Sequence, residues 1–263
     1  PEEVEASFHL ELARWQERRQ LAEEGAEARP ADGSEEIPIR LVGSNDLALN
    51  ALVDLVKRDG SGPEIQITNA GSLGGLIALH EGRADVAGTH LLDEETEEYN
   101  YPYIRRILPG TPVAVVHLVD RIQGLMFPRG NPKRIRGIAD LARPEVTFVN
   151  RQKGAGTRVL LDINLHRLRI PASEVKGYAR EAETHIAAGL AVAQGSADVA
   201  LGIEAAARGC DLEFLPLFRE RYDLVMPRST HRRKSFASVL NTLASDEYRA
   251  AINKMGGYDT SET

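Results

Sequence analysis

From Ile37 onward short apolar runs alternate with amphipathic stretches, and one helix-to-strand connection occurs twice in that pattern. "EGRADVAGTH" from Glu81 and "QGSADVALGI" from Gln194 share a glycine, one variable residue, and then Ala-Asp-Val-Ala. Glycine after a helix supplies a left-handed cap, the aspartate sits at the turn, and the apolar residues begin a buried strand. With matching element order on both sides, the duplication favours two similar α/β lobes.

The first lobe reads strand, helix, strand, helix, strand through "IPIRLVG", "NDLALNALVDLVKR", "EIQITN", "SLGGLIALHEG" and "ADVAGTH". The pattern pauses at "TPVAVVHLVDRIQGLMFPRGNP", where Val113 to Val119 and Gln123 to Phe127 predict two long strands and "RGNP" a turn. It resumes with strands at "EVTFVN", "EVKGYA", "ADVALG" and "RYDLVMP", helices at "TRVLLDINLHRL" and "THIAAGLAVAQG", and two terminal helical stretches. Residues 2–26 predict a charged helix with Phe8, Leu12, Trp15 and Leu21 on one face, followed by the linker "ARPADGSEEIP". The expected organisation is an N-terminal helix and linker over 1–36, a first lobe over 37–129 plus 219–263, and a second lobe over 130–218.

The 263 residues carry a formal charge of −7, which disfavours nucleic acid or an anionic membrane as a partner for the bulk surface. A small anion answers to local groups and is not excluded. The lone cysteine, Cys210, allows no internal disulfide and no thiolate cluster, and is expected to be a buried structural thiol. No apolar stretch approaches the roughly 18 residues of a membrane span. The chain opens at Pro1, not at a methionine, which leaves room for an upstream signal peptide or domain.

In open α/β sheets ligands lie beyond the carboxyl ends of the strands, where helix N-termini present unpaired N–H groups. Four strand-to-helix turns therefore stand out. "GSND" offers Ser44 and Asn45; "NAGSLGG" offers Ser72; "VNRQKGAGTRVLLD" offers Arg151, Gly154, Gly156 and Thr157; "REAETH" ends in Thr184 and His185. Each hydroxyl alone is an ordinary N-cap, but four such turns on facing lobes would converge on one cleft. Gly154 and Gly156 would let a ligand approach the backbone, and Arg151 would pair with an oxyanion. Lys153 reads as solvated and Arg158 as a surface or interlobe residue. "GAGTR" is not a P-loop, and Val159 stands where a dinucleotide fingerprint needs its third glycine. His90 with Asp93, or Glu183 with His185, could be drawn as acid–base pairs. No nucleophile elbow or metal-ligand spacing accompanies them, so no enzyme is expected.

These motifs resemble a known family. "GSND", "NAGSLGGLIALHEGRADVAGTHLLD", "EYNYPYIRR", "QGLMFPRGNPKRIRGIADLARPEVTFVNRQKGAGTRVLLD", "ETHIAAGLAVAQGSADVALGIEAAA" and "ERYDLVMPR", in this order from Ile39 to about Tyr258, are similar to the periplasmic-binding-protein-like domain of the molybdate-binding group. That domain is found behind helix-turn-helix modules of transcription regulators. The resemblance implies a type II periplasmic-binding fold, an α/β architecture of two lobes joined by two crossover strands and closing on a ligand. It implies that Ser44, Asn45, Ser72, the turn from Arg151 to Thr157, Thr184 and His185 line the cleft. Asn45 replaces a histidine and Ala155 a serine expected in the family. The implied ligand is an oxyanion such as molybdate or tungstate, with no other cofactor and no metal. The implied setting is a cytoplasmic sensor with an upstream DNA-binding module, without nucleic-acid or membrane contact of its own, and with a homodimer allowed. An extracytoplasmic transport receptor, periplasmic or extracellular, is the alternative; Tyr99, Tyr101 and Tyr178 at the rim would instead suit an organic anion.

Overall fold

The computed structural model describes residues 38–60 and 62–263. The helix and linker expected over 1–36 therefore lie outside the described residues. Contacts divide the chain into Pro1–Glu35 and Glu36–Thr263, and the second unit holds the sheet and every site residue.

The first lobe begins with β1 (Ile39–Gly43), α1 (Leu47–Asp59), β2 (Ile65–Asn69), α2 (Gly71–His80) and β3 (Val86–Thr89), followed by α3 (Tyr101–Ile107) and β4 (Val113–Phe127). The second contains β5 (Phe148–Arg151), α4 (Gly156–Arg167), β6 (Glu181–Ala182), α5 (His185–Ala193), β7 (Val199–Ile203) and α6 (Glu204–Gly209). β8 (Glu213–Pro227) returns to the first lobe, where α7 (Arg228–His231), α8 (Lys234–Leu243), α9 (Asp246–Met255) and β9 (Tyr258–Asp259) complete it. Strand order is β2-β1-β3-β8-β4-β7-β5-β6. The first lobe is thus β2-β1-β3-β8-β4 and the second β6-β5-β7-β4-β8, the same arrangement with the roles of the two long strands exchanged.

The duplicated connection has the same function in both lobes. The Asp85 N–H donates to the Arg40 carbonyl at 2.8 Å, and its carboxylate accepts the Arg40 N–H at 3.0 Å. Asp198 repeats this with Thr147, at 2.8 Å in both directions. Each aspartate pins the strand it enters beside to the first strand of its lobe. Gly82 and Gly195 precede them with φ of 70° and 73°, values that favour glycine.

The first lobe's core packs Leu49, Leu52 and Val56 of α1 with Phe236, Val239, Tyr248 and Ile252 of α8 and α9 against β1, β3, β4 and β8. In the second lobe Phe148, Leu161, Leu165 and Val199 form one buried cluster, and Val149, Ala188, Val192 and Ala200 another. Cys210 is half-buried, not a core thiol, with its sulfur near the Ile186 carbonyl.

Three expectations about elements need correction. The two strands expected at 113–119 and 123–127 are one continuous strand, because the charged stretch between them is paired across to β8. β8 begins at Glu213, eight residues before the expected start, and its Pro216 is accommodated beside an irregularity in the β4–β8 register. "EVKGYA" is not a strand: Gly177 has φ +96°, and turn bonds join Tyr178 to Val175 and Arg180 to Gly177. The short α3 was not expected.

Candidate functional site

α2 and α4 begin in different lobes and neither has a side-chain cap. Their starts meet. The Leu73 N–H donates to the Gly154 carbonyl at 3.3 Å, and a Cβ on Gly71 would stand 2.7 Å from that same oxygen. Gly156, at the first turn of α4, lies so close to the His90 ring that a side chain there would collide with it. Further contacts join the lobes: Asn69 Nδ2 donates to the Glu183 carbonyl at 2.9 Å, while His166 meets Glu94 and Arg167 meets Glu97, each at 3.0 Å. The cleft is closed.

Arg151 is sealed beneath this closure at 1% exposure. Its Nε donates to the Ala182 carbonyl at 3.1 Å and its Nη2 to the Glu183 carbonyl at 2.9 Å, while Nη1 is buried without a partner. Among the described residues no carboxylate lies within ion-pair distance of it. Burial pushes its pKa down to about 9, and the positive charge of Arg121 adds to the shift. His185 is also buried, with neither ring nitrogen hydrogen-bonded. Burial, then Arg151 and Arg121, hold its pKa well below the ordinary histidine range, so the ring is neutral and offers one donor and one acceptor.

Beside these groups lies a charged network carried by the crossover strands. Arg121 of β4 and Glu220 of β8 are direct cross-strand partners. Arg121 Nε donates to Glu220 at 2.7 Å and its Nη1 to Asp46, while its plane lies over the Tyr222 ring. Burial would raise the Glu220 pKa, but Arg121, His90 and the Gln123 amide outweigh it and hold the carboxyl down at about 2. Ionised Glu220 fixes the neighbouring imidazole: His90 Nδ1 donates to it at 2.7 Å, and Nε2 accepts from the Ser44 hydroxyl at 2.8 Å. Gln123 Nε2 donates to Glu220 and to the Thr157 hydroxyl at 2.7 and 2.9 Å, linking the network to the start of α4.

The candidate residues consequently separate. Ser72 accepts the His90 N–H at 3.2 Å, and Thr157 accepts from Gln123, so both keep a hydroxyl proton to donate. Ser44 is committed to His90, and its carbonyl to Tyr222. The helix after "GSND" is capped by Asp46, not by Ser44 or Asn45; Asn45 is half-buried. Thr184 caps α5 by accepting the Ala187 N–H at 3.0 Å. Lys153 is exposed, as expected. Arg158 is not a surface or interlobe residue: it is buried within the second lobe over Tyr178, bracing the Arg151 carbonyl. Tyr178 is committed to Asp162, Tyr99 reaches the Arg219 carbonyl, and Tyr101 is exposed. Neither acid–base pairing forms as drawn, since His90 bonds Glu220 and His185 has no partner.

A family profile described as the PBP superfamily domain matches residues 53–244. The uncharacterized protein YvgK of Bacillus subtilis is 39% identical over 194 residues, 73% of this chain and 62% of YvgK, so the chain spans less than two thirds of that relative. A substrate-binding protein of Clostridium perfringens solved with bound phosphate superposes with a TM-score of 0.61 at 11% identity, over 83% of this chain and 98% of that one. The sulfate-binding protein SubI of Mycobacterium tuberculosis gives 0.58 at 14%, over 84% and 85%. At these identities the two structures show a shared fold, the two-lobed type II periplasmic-binding architecture. By its family match over residues 53–244, the chain belongs to the PBP superfamily.

Proposed function

We propose that the chain is a non-catalytic clamp that closes on a small oxyanion, of which molybdate and tungstate are the favoured candidates, and that it is the sensing part of a transcription regulator. The observation that carries this is Arg151, a guanidinium sealed between two lobes with a free Nη1 and no carboxylate counter-ion among the described residues. A buried charge without a partner is costly. An anion against Nη1, with the Ser72 and Thr157 hydroxyls and the opposed starts of α2 and α4 as further donors, supplies the missing charge and uses N–H groups no side chain caps. That phosphate and sulfate are bound by proteins of the same fold supports the oxyanion class.

Charge-assisted hydrogen bonds contribute roughly 1.5–3 kcal/mol each. A few of them, offset by dehydration and closure, are compatible with the ~8 kcal/mol of micromolar binding. The sensor of a regulator is preferred to an extracytoplasmic transport receptor because the motifs from Ile39 to about Tyr258 resemble the domain found behind helix-turn-helix modules. Calorimetric titration of the whole chain with molybdate, tungstate, sulfate, phosphate and glutamate tests the ligand class. At least one tetrahedral anion is expected to bind with 1:1 stoichiometry at micromolar or better affinity. Heat from glutamate alone, or from none of the five, would sink the oxyanion assignment.

A further inference from the structure

His117 and Asp120 lie on β4, and a register irregularity between His117 and Val119 turns both side chains to one face of the strand pair, away from Arg121. The His117 side chain is only 8% exposed, and its Nε2 is buried without a hydrogen-bond partner. Nε2 stands 3.8 Å from Asp120 Oδ1, beyond hydrogen-bond reach. The remaining oxygen of Asp120, Oδ2, is already held by Arg219 at 2.8 and 3.0 Å, so Oδ1 is the one left to face the ring. On the other side of the imidazole, Nδ1 is 3.2 Å from Asp223, a buried carboxylate also held by Asn100 and Arg221.

The C-terminal segment brings a third group. β9 pairs with β4 at Asp120 and Arg121, and the Thr263 hydroxyl donates to the Leu118 carbonyl at 2.9 Å. Glu262 is thereby held at the same face, with one ligand atom each from His117, Asp120 and Glu262 within 4.8 Å of one another.

We propose that His117 Nε2, Asp120 Oδ1 and a Glu262 oxygen bind one divalent transition cation of zinc-like chemistry, with solvent completing the coordination. One nitrogen and two carboxylate oxygens are a donor set such cations accept. Asp223 supplies the carboxylate behind the histidine that fixes its tautomer and presents the Nε2 lone pair to the metal. Tetrahedral bonds of ~2.1 Å place ligand atoms about 3.4 Å apart, so closure on the ion shortens the 3.8 Å between Nε2 and Oδ1 slightly and turns the exposed Glu262 side chain toward them. The ion would fasten the C-terminal segment to β4, the crossover strand that pairs into both lobes. It is independent of the anion cleft.

The test is calorimetric titration of the whole chain with zinc chloride, with cobalt(II) absorption as a spectroscopic report, on the parent, His117→Gln and Glu262→Gln. Glu262 is exposed, so its replacement leaves the fold intact; melting in EDTA checks both variants. One site of micromolar or tighter affinity is expected, weakened at least roughly tenfold in each variant, with the cobalt spectrum of a nitrogen-oxygen site lost in both. Absence of binding by the parent, or retention of parent affinity by either variant, overturns the proposal.

Discussion

Replacing Arg151 with methionine is expected to weaken anion binding by about two orders of magnitude while leaving the anion-free protein as stable as the parent, or more so. Most buried side chains that bond a ligand also hold the fold, so the two effects usually move together. Here they oppose. The guanidinium is desolvated without a counter-ion, and the fall of its pKa to about 9 reflects a burden on the order of several kcal/mol. Against this the protein loses two bonds to the Ala182 and Glu183 carbonyls, about 1 kcal/mol each. Methionine fills much of the volume without a charge. Thermal unfolding with and without saturating anion reads both quantities. The parent gains about 2.7 kcal/mol at a hundredfold excess of ligand over Kd, and the variant gains almost none at that concentration. An anion-free variant melting far below the parent would show that Arg151 is a structural group whose charge the protein already satisfies.

The second large effect is structural. Glu220→Gln is expected to destabilise the protein by about 3–5 kcal/mol, since it leaves Arg121 and the His90 N–H facing a neutral group in a fully buried site. For a domain of this size that lowers Tm by roughly 10 °C. The carboxyl also makes a pH signature. Its pKa is held near 2 in the folded protein, below the ordinary 4.5, so its contribution is fully present above about pH 4.5 and is lost as pH falls toward 2. Urea unfolding at pH 7 and through this acid window checks both parts. The variant should be much weaker than the parent at neutral pH, and the difference should shrink as acid protonates Glu220 in the parent. A variant equal to the parent at pH 7 would mean that the Arg121–Glu220 register does not hold the two long strands together.

The lobes, their order and most strands were legible because strands buried on both faces read as apolar runs and because the duplicated aspartates mark equivalent turns. The crossover strands were only half legible. "VDRIQ" and "FRERYD" look like breaks when each is read alone. Paired, they alternate, with Arg121 and Glu220 on one face and Asp120 and Arg219 bonded to each other on the other. Charge of alternating sign in "FRERYD" was the available signal, but the partners of Arg219 and Glu220 lie about a hundred residues away in sequence. A separation of 130 residues likewise concealed the link from His90 to Glu220. Among the candidate ligands, Arg151, Ser72, Thr157 and His185 have groups free to meet an anion. Ser44 donates its hydroxyl proton to His90, whereas Thr184 accepts at its helix start and keeps its own, and local sequence could not distinguish these cases because a cap and a ligand contact use the same atoms.

The most direct measurement is a crystal structure of the whole chain with the tightest-binding oxyanion of the calorimetric panel. The expected result is one anion between the starts of α2 and α4, with an oxygen about 2.7–2.9 Å from Arg151 Nη1. An anion bound elsewhere, with Nη1 still lacking an anionic partner, would contradict the account.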